Sequence, residues 1–312
     1  MAVIGIIAEY NPFHLGHAYQ LAQARRILGA DSPVVAVMSG NFVQRGEAAL
    51  LHKHARAETA VRCGADLVLE LPTAWAAATA EVFARGGVSL LAATGVVTHL
   101  CFGSECGELS QLEHLADCLD GQSYQAELRR FLGAGMTFAA ARQAAARELS
   151  GAAADGLSQP NNNLAVEYLR AIRALGADLM PVTVRRVGAP HDGDETEGFA
   201  SASAIRRRVL TGAPWEHLVP AESAAVLRRE LDAGHAPVSQ AACERMILSR
   251  LRAMGEEDFR AYDGGNEGLY HRFYEAVRRS STLEELLDRA KTKRYPRARL
   301  RRMALAAWLG LE

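Results

Sequence analysis

The chain has 312 residues, of which 49% are hydrophobic, 6% aromatic and 23% charged, with a formal net charge of -1. That is enough apolar material for one large domain, or a domain with a smaller companion, resting on Ala, Leu and Val rather than on aromatic rings. The balanced charge argues against a globally basic nucleic-acid binder, and the lack of a long, clean apolar run argues against a membrane-spanning helix. The five cysteines, Cys63, Cys101, Cys106, Cys118 and Cys243, contain no CxxC pair and read as reduced thiols of a soluble cytoplasmic protein rather than a metal site.

Residues 3–8 (VIGIIA) form a short, continuous, β-branched run, as expected of a strand buried on both faces. The run has no basic leader or small-residue cleavage site, so it reads as a strand and not a signal peptide. Similar runs recur at 34–38, 66–71, 96–102 and 179–184. Between them, 18–28, 53–63, 79–93 and 109–119 are Ala-rich with helical spacing. The alternation predicts an α/β fold, a parallel sheet with helices on both faces. Ligands of such sheets gather at the carboxyl ends of the strands.

From 123 to 149 the pattern is helical, 151–160 reads as a loop and 163–175 as a helix, so about 123–160 forms a helical insertion. Another helix is predicted over 201–210. Beyond the Gly212-Ala213-Pro214 break only helical periodicity remains, at 221–233, 240–254, 268–280, 283–291 and 297–309. The expected organisation is therefore a Rossmann-like α/β domain over 1–212 followed by an all-helical domain over 213–312.

Directly after the first strand comes Glu9-Tyr10-Asn11-Pro12-Phe13-His14-Leu15-Gly16-His17, and then a helix. Strand, loop and helix tip together present unpaired N–H groups and partial positive charge to a phosphate. His14 and His17 are three apart and share a face once the helix begins. Gly16 removes a side chain where a nucleotide must approach the backbone. Two imidazoles can donate to an α-phosphate as charge builds in an in-line displacement. Two capping histidines are the plainer alternative, and a zinc site lacks an evident third ligand. A second segment, Ser201-Ala202-Ser203-Ala204-Ile205-Arg206, sets hydroxyls and a guanidinium at a helix start, where they can hold β- and γ-phosphates. An N-cap followed by a solvated basic face, Arg206-Arg207-Arg208, reads equally well.

The two segments together look like the signatures of the HIGH-type nucleotidyltransferase superfamily. Longer strings resemble the tRNA(Met) cytidine acetate ligase family: 5–19 (GIIAEYNPFHLGHAY), 39–48 (SGNFVQRGEA), 64–72 (GADLVLELP), 102–105 (FGSE), 160–168 (PNNNLAVEY), 185–192 (RRVGAPHD) and 291–295 (KTKRY). The resemblance covers nearly the whole chain. It departs at Leu15, where Asn is expected, and at Ala48, where Pro is expected. The chain is also short for the family, which points to trimmed C-terminal helices and bears on the RNA-binding geometry.

The resemblance implies that ATP and acetate form acetyl-adenylate and pyrophosphate, and that the acetyl group passes to N4 of the wobble cytidine of elongator tRNA(Met). It implies catalysis by His14 and His17. It implies ATP contacts along Ile7, Ala8, Glu9, Tyr10, Asn11, Pro12, Phe13, His14, Leu15, Gly16, His17, Ala18, Tyr19 and Gln20, and at Gly103, Asn162 and Arg185 or Arg186, besides Ser201, Ser203 and Arg206. Strand alternation sends only one of the paired arginines toward the site, with Arg186 favoured. Asn162 can reach adenine or ribose, or can cap the helix that follows it. Magnesium is expected from ATP chemistry, without identifiable ligands. Gln44, Arg45 and Glu47 follow a strand on the presumed active-site edge, as unassigned candidates for acetate, cytidine or phosphate.

The run Lys291, Lys293, Arg294, Arg297, Arg299, Arg301 and Arg302 contains no acid, and Tyr295 lies within it. By itself it reads as a solvated helix face. With the resemblance it becomes a tRNA-binding patch in which Lys291, Lys293, Arg294, Arg297 and Arg301 contact phosphate and Tyr295 stacks on a base. The alternative function sharing both signatures is an adenylyltransferase for a small phosphorylated metabolite, as in coenzyme A or NAD synthesis. The oligomeric state is not legible.

Overall fold

The computed structural model describes residues 1–188, 198–264 and 268–311. Its first half runs β1 (Ile4–Ala8), α1 (Leu15–Leu28), β2 (Val34–Ser39), a hairpin of β3 (Phe42–Val43) and β4 (Glu47–Ala48), α2 (Lys53–Arg62), β5 (Leu67–Leu71), α3 (Thr73–Ala76), α4 (Ala80–Ala93) and β6 (His99–Ser104). Then come α5 (Leu109–Asp120), α6 (Gln122–Gly133), α7 (Phe138–Ser150), α8 (Pro160–Leu175) and β7 (Met180–Arg185). The rest is helical: α9 (Ala202–Thr211), α10 (Ala221–Asp232), α11 (Glu244–Ala253), α12 (Leu269–Arg279), α13 (Leu283–Ala290) and α14 (Arg297–Leu309).

Five strands pair in the order β5-β2-β1-β6-β7, all parallel. The predicted α/β architecture is thus the observed one. β2 is buried along its whole length, because helices cover both faces of the sheet. α4, α5 and α8 bury Phe83, Leu91, Leu112 and Val166 on one face; α1 and α2 bury Leu21, Ala24 and Ala60 on the other. Packing is tight where backbones meet: a Cβ on Gly87 of α4 would lie 2.6 Å from the Ile7 side chain of β1.

The order in which strands are added reverses between β1 and β6, the position at which parallel sheets bind ligands. These two strands pair only at Ile4 with His99 and Gly5 with Leu100. Their carboxyl ends therefore splay, and a crevice opens beside Ile7, Phe102 and Gly103.

Three expectations from the sequence are corrected. The stretch expected to be a loop at 151–160 winds as a 3-10 helix over Gly151–Ser158, with Ala154 and Leu157 buried. The helix after it begins at Pro160 rather than 163, since proline is well suited to a first helical turn. The β3–β4 hairpin lies where no strand is predicted.

Residues 200–236 do not stand apart from the sheet. Ala204, Ile205, Trp215 and Leu227 share a core with Leu50, Leu51 and Ala55. A separate helical core starts at Ile247 and includes Phe259, Phe273, Leu287 and Leu300. The last helix of that unit backs the hairpin: Phe42 meets Trp308 edge-on at 6.0 Å, Arg301 pairs with Glu47, and a Cβ on Gly46 would lie 2.6 Å from the Arg302 backbone nitrogen. Gly46 has φ +75°, a second reason why glycine fits there.

Candidate active site

His14 is the N-cap of α1. Its Nδ1 accepts the Gly16 N–H at 3.0 Å, and His17 Nδ1 accepts the His14 N–H at 3.2 Å. The pair thus performs the reciprocal capping usually made by Ser or Thr with Glu or Gln. Because both Nδ1 atoms accept backbone hydrogens, each neutral ring carries its proton on Nε2. The rings stack with centroids 3.8 Å apart. Burial, followed by the Arg186 and Arg206 charges, lowers His14 to about 3. Burial, then His14 and Arg186, holds His17 well below its ordinary value. Both are neutral donors at pH 7. Gly16 serves this geometry directly, since a Cβ there would lie 2.8 Å from His14 Cε1.

The loop before the histidines is held under strain. Tyr10 has φ +45°, a costly conformation for a side chain of its size. Burial fixes it, with its ring 4.8 Å from Phe13 and 5.0 Å from His17. Asn11 Oδ1 accepts the Leu50 N–H at 2.8 Å, and the Asn11 carbonyl accepts from Arg206 Nη1 at 2.8 Å.

Two lobes of one cleft meet at His14, His17, Gln20, Gly103 and Arg186. The smaller lobe, about 440 Å³, is closed by Gly16, Tyr19, Val184, Arg185, Val187, Phe199 and Ala200. The larger, about 1230 Å³, is bounded by Ile7–Asn11, the hairpin residues Val43, Gln44, Arg45 and Glu47, the side chains Phe83, Phe102, Leu164 and Tyr168, and Ser201, Ser203 and Arg206. Among the residues of the 7–20 stretch, Pro12, Phe13, Leu15 and Ala18 do not line either lobe.

Arg186 lines both lobes, and a Cβ on Gly103 would stand 3.3 Å from its Cγ, so the glycine gives this side chain its passage. Arg185 is exposed and lies against Gly107. Ser201 caps α9 by accepting the Ala204 N–H at 3.1 Å, and its hydroxyl also meets that of Ser203 at 3.0 Å. The cap reading and the cleft position therefore hold together for Ser201. Residues 189–192 of the resembling string lie outside the described residues.

One organising residue is not evident from the sequence. Arg56 on α2 is only 1% exposed. Its guanidinium donates to the carbonyls of Glu9 and Gly40, to Ser39 at 2.8 Å and to Leu51 at 3.3 Å. Burial lowers it to about 10, which leaves it charged at pH 7. It ties the end of β1 to the end of β2 and so sets the cleft's edge. Its only signal in the sequence is an arginine on the apolar side of a predicted helix.

Known proteins share this arrangement. The HIGH Nucleotidyl Transferase family model matches residues 1–312. A tRNA(Met) cytidine acetate ligase of Syntrophomonas wolfei is 42% identical, over 98% of this chain and 75% of that protein. One from Acetivibrio thermocellus is 37% identical, over 100% and 78%. The chain belongs to this family of HIGH nucleotidyltransferases. Apo Thermotoga maritima TmcAL superposes with a TM-score of 0.92 at 38% identity, covering 98% of this chain and 75% of that one. The form bound with alpha-thio ATP gives 0.90 at 37%, over 98% and 74%.

Two groups of residues expected at the site from membership of the family, Asn162 and the basic run, make contacts within the fold. Asn162 is buried and engaged within the fold: Oδ1 accepts the N–H groups of Glu105 at 2.9 Å and Cys106 at 3.2 Å, and Nδ2 donates one hydrogen to Gln159 at 2.6 Å. Glu105 answers by accepting the N–H groups of Asn161 and Asn162. The amide braces the β6 edge against α8; it does not line the cleft, which Asn161 does.

The basic run is also largely committed. Tyr295 is buried in the C-terminal core, under the Arg299 guanidinium at 5.5 Å, so its face is not open to a base. Arg297 pairs with Glu284 and with Asp288 at 2.7 Å, Arg299 with Asp263 at 3.4 Å, and Arg301 with Glu47 and Glu284. Acids brought in by the fold neutralise charges that look unopposed in the sequence. Lys291, Lys293 and Arg294 are exposed.

Proposed function

We propose that the chain condenses acetate with ATP to acetyl-adenylate, releasing pyrophosphate, and passes the acetyl group to N4 of the wobble cytidine of elongator tRNA(Met), giving N4-acetylcytidine and AMP. The observation that carries this reading is the pair of neutral histidines whose Nδ1 atoms are consumed by the backbone, leaving two Nε2–H donors at the meeting point of the lobes. Donors fixed before the reaction stabilise charge developing on an α-phosphate without reorganising. Arg186, Arg206, Ser201 and Ser203 are suited to the remaining phosphates. The similar Thermotoga maritima chain with alpha-thio ATP supports ATP as the nucleotide.

A mixed anhydride must be kept from water, and Ile7, Phe83, Phe102 and Leu164 give the larger lobe a dry wall. Magnesium would enter on the nucleotide, since this ion is commonly held through substrate phosphates with one or two carboxylates. We assign catalysis to 1–212 and RNA contacts to the helical part over 213–312, with α10 as the buttress packed on α2, and place the protein in the cytoplasm. No described helix is long and apolar enough to cross a membrane.

The test is mass spectrometry of tRNA after incubation with ATP and labelled acetate. A mass gain of one acetyl group on tRNA(Met) cytidine is expected. His14→Ala and His17→Ala should abolish acetate-dependent ATP–pyrophosphate exchange while retaining tRNA affinity. Pyrophosphate release with phosphopantetheine or nicotinamide mononucleotide, and none with acetate, would refute the assignment.

A further inference from the structure

The larger lobe contains a polar pair beside an apolar wall. The Gln44 backbone N–H donates to Glu9 Oε1 at 2.9 Å, while the Glu9 carbonyl accepts from buried Arg56. The Glu9 carboxylate is thus anchored from the hairpin and its backbone from α2. Gln44 Nε2 is buried without a hydrogen-bond partner among the described residues. Such a donor has lost its water and has gained nothing in exchange, a cost that a ligand acceptor can offset. The apolar wall of the same lobe is made by Ile7, Phe83, Phe102, Leu164 and Tyr168, with the Phe102 and Tyr168 rings 5.7 Å apart and tilted by 42°. One fixed acceptor, one unmet donor and an apolar wall therefore share a lobe with His14 and His17.

We propose that this is the subsite for the cytosine ring, Glu9 accepting from the exocyclic N4 amine and Gln44 Nε2 donating to N3 or O2. The inference rests on the proposed function and adds the specificity-determining residues for its nucleic-acid substrate. Cytosine presents a donor next to acceptors, and a carboxylate is an ordinary partner for its amine. Unpaired bases taken out of a loop are held by such edges, and the apolar wall limits the water around them. Uracil reverses the match: O4 would face the Glu9 carboxylate, and N3–H would face the Gln44 amide hydrogens. An acetate anion suits the subsite poorly, because the Glu9 charge repels it. The amine held at Glu9 is the atom that must meet the activated acetyl group, and the histidines border the same space.

The test uses the full chain with two anticodon stem-loop RNAs that differ only in C or U at the target position. Wild type should bind the C loop about tenfold more tightly, and Gln44→Leu should cut that preference to about twofold or less. Gln44→Glu keeps the shape and exchanges donor for acceptor, so it should lose the preference as well. In both variants acetyl transfer to tRNA should fall about tenfold further than acetate-dependent exchange. A folded Gln44→Leu protein that still prefers C overturns the subsite. So does a variant whose exchange falls as far as its transfer, because Gln44 would then serve acetate or ATP. If wild type transfers no acetyl group, the functional reading fails on its own account; retained discrimination in a variant of an active enzyme removes only the subsite.

Discussion

The two histidines tie acid sensitivity to the same contacts that prepare the site. Unfolded, an imidazole titrates near 6.5; folded, His14 takes up a proton only at about 3, through burial and then two arginines. Between these values the unfolded chain binds more protons, so stability declines as pH falls through the window. One such histidine should cost about 2 kcal/mol at pH 5 relative to pH 8, and His17 acts in the same direction. Urea midpoints from pH 8 to pH 5 would check this, and His14→Gln should flatten the slope. The histidine loop is legible in the sequence because its geometry is local: cap, glycine and helix tip lie within four residues. Tyr295 is not, because it is buried in a core shared with Phe259 and Phe273, distant in sequence and joined only by the fold.

At the level of elements, the buried strands and their order of alternation can be read from periodicity, as can most helices. The β3–β4 hairpin cannot, since two-residue strands are too short for a period of two to appear. Gly151–Ser158 reads as a loop because of its Gly and Ser composition, while Ala154 and Leu157 anchor it as a helix. The brace between β6 and α8 is hidden for a different reason. Asn162 and Glu105 look like independent polar residues until the helix tip and strand end meet. Asn162→Ala should therefore destabilise the protein by about 1–3 kcal/mol by orphaning the Glu105 and Cys106 N–H groups. Thermal melts would check it. A loss of ATP affinity with an unchanged melting temperature would instead favour direct nucleotide contact.

Across the whole molecule, the distribution of paired charge narrows where RNA can be gripped. If exposed Lys291 and Lys293 contact phosphate, the double substitution Lys291→Glu, Lys293→Glu should weaken tRNA binding about uniformly across sequences. It should also lower the salt slope by about one for each phosphate no longer neutralised. Arg297→Ala should change stability more than the salt slope, because its guanidinium is committed to Glu284 and Asp288. Binding titrations between about 50 and 200 mM salt distinguish the two.

The turn made by Gly46 touches the Arg301–Arg302 backbone with no clearance for a methyl group, while the neighbouring Gln44 borders the cleft. Hairpin and final helix thus form a strut without slack. An RNA that leaned on the far end of that helix would therefore press on the wall beside the reacting groups, and would join docking to chemistry mechanically.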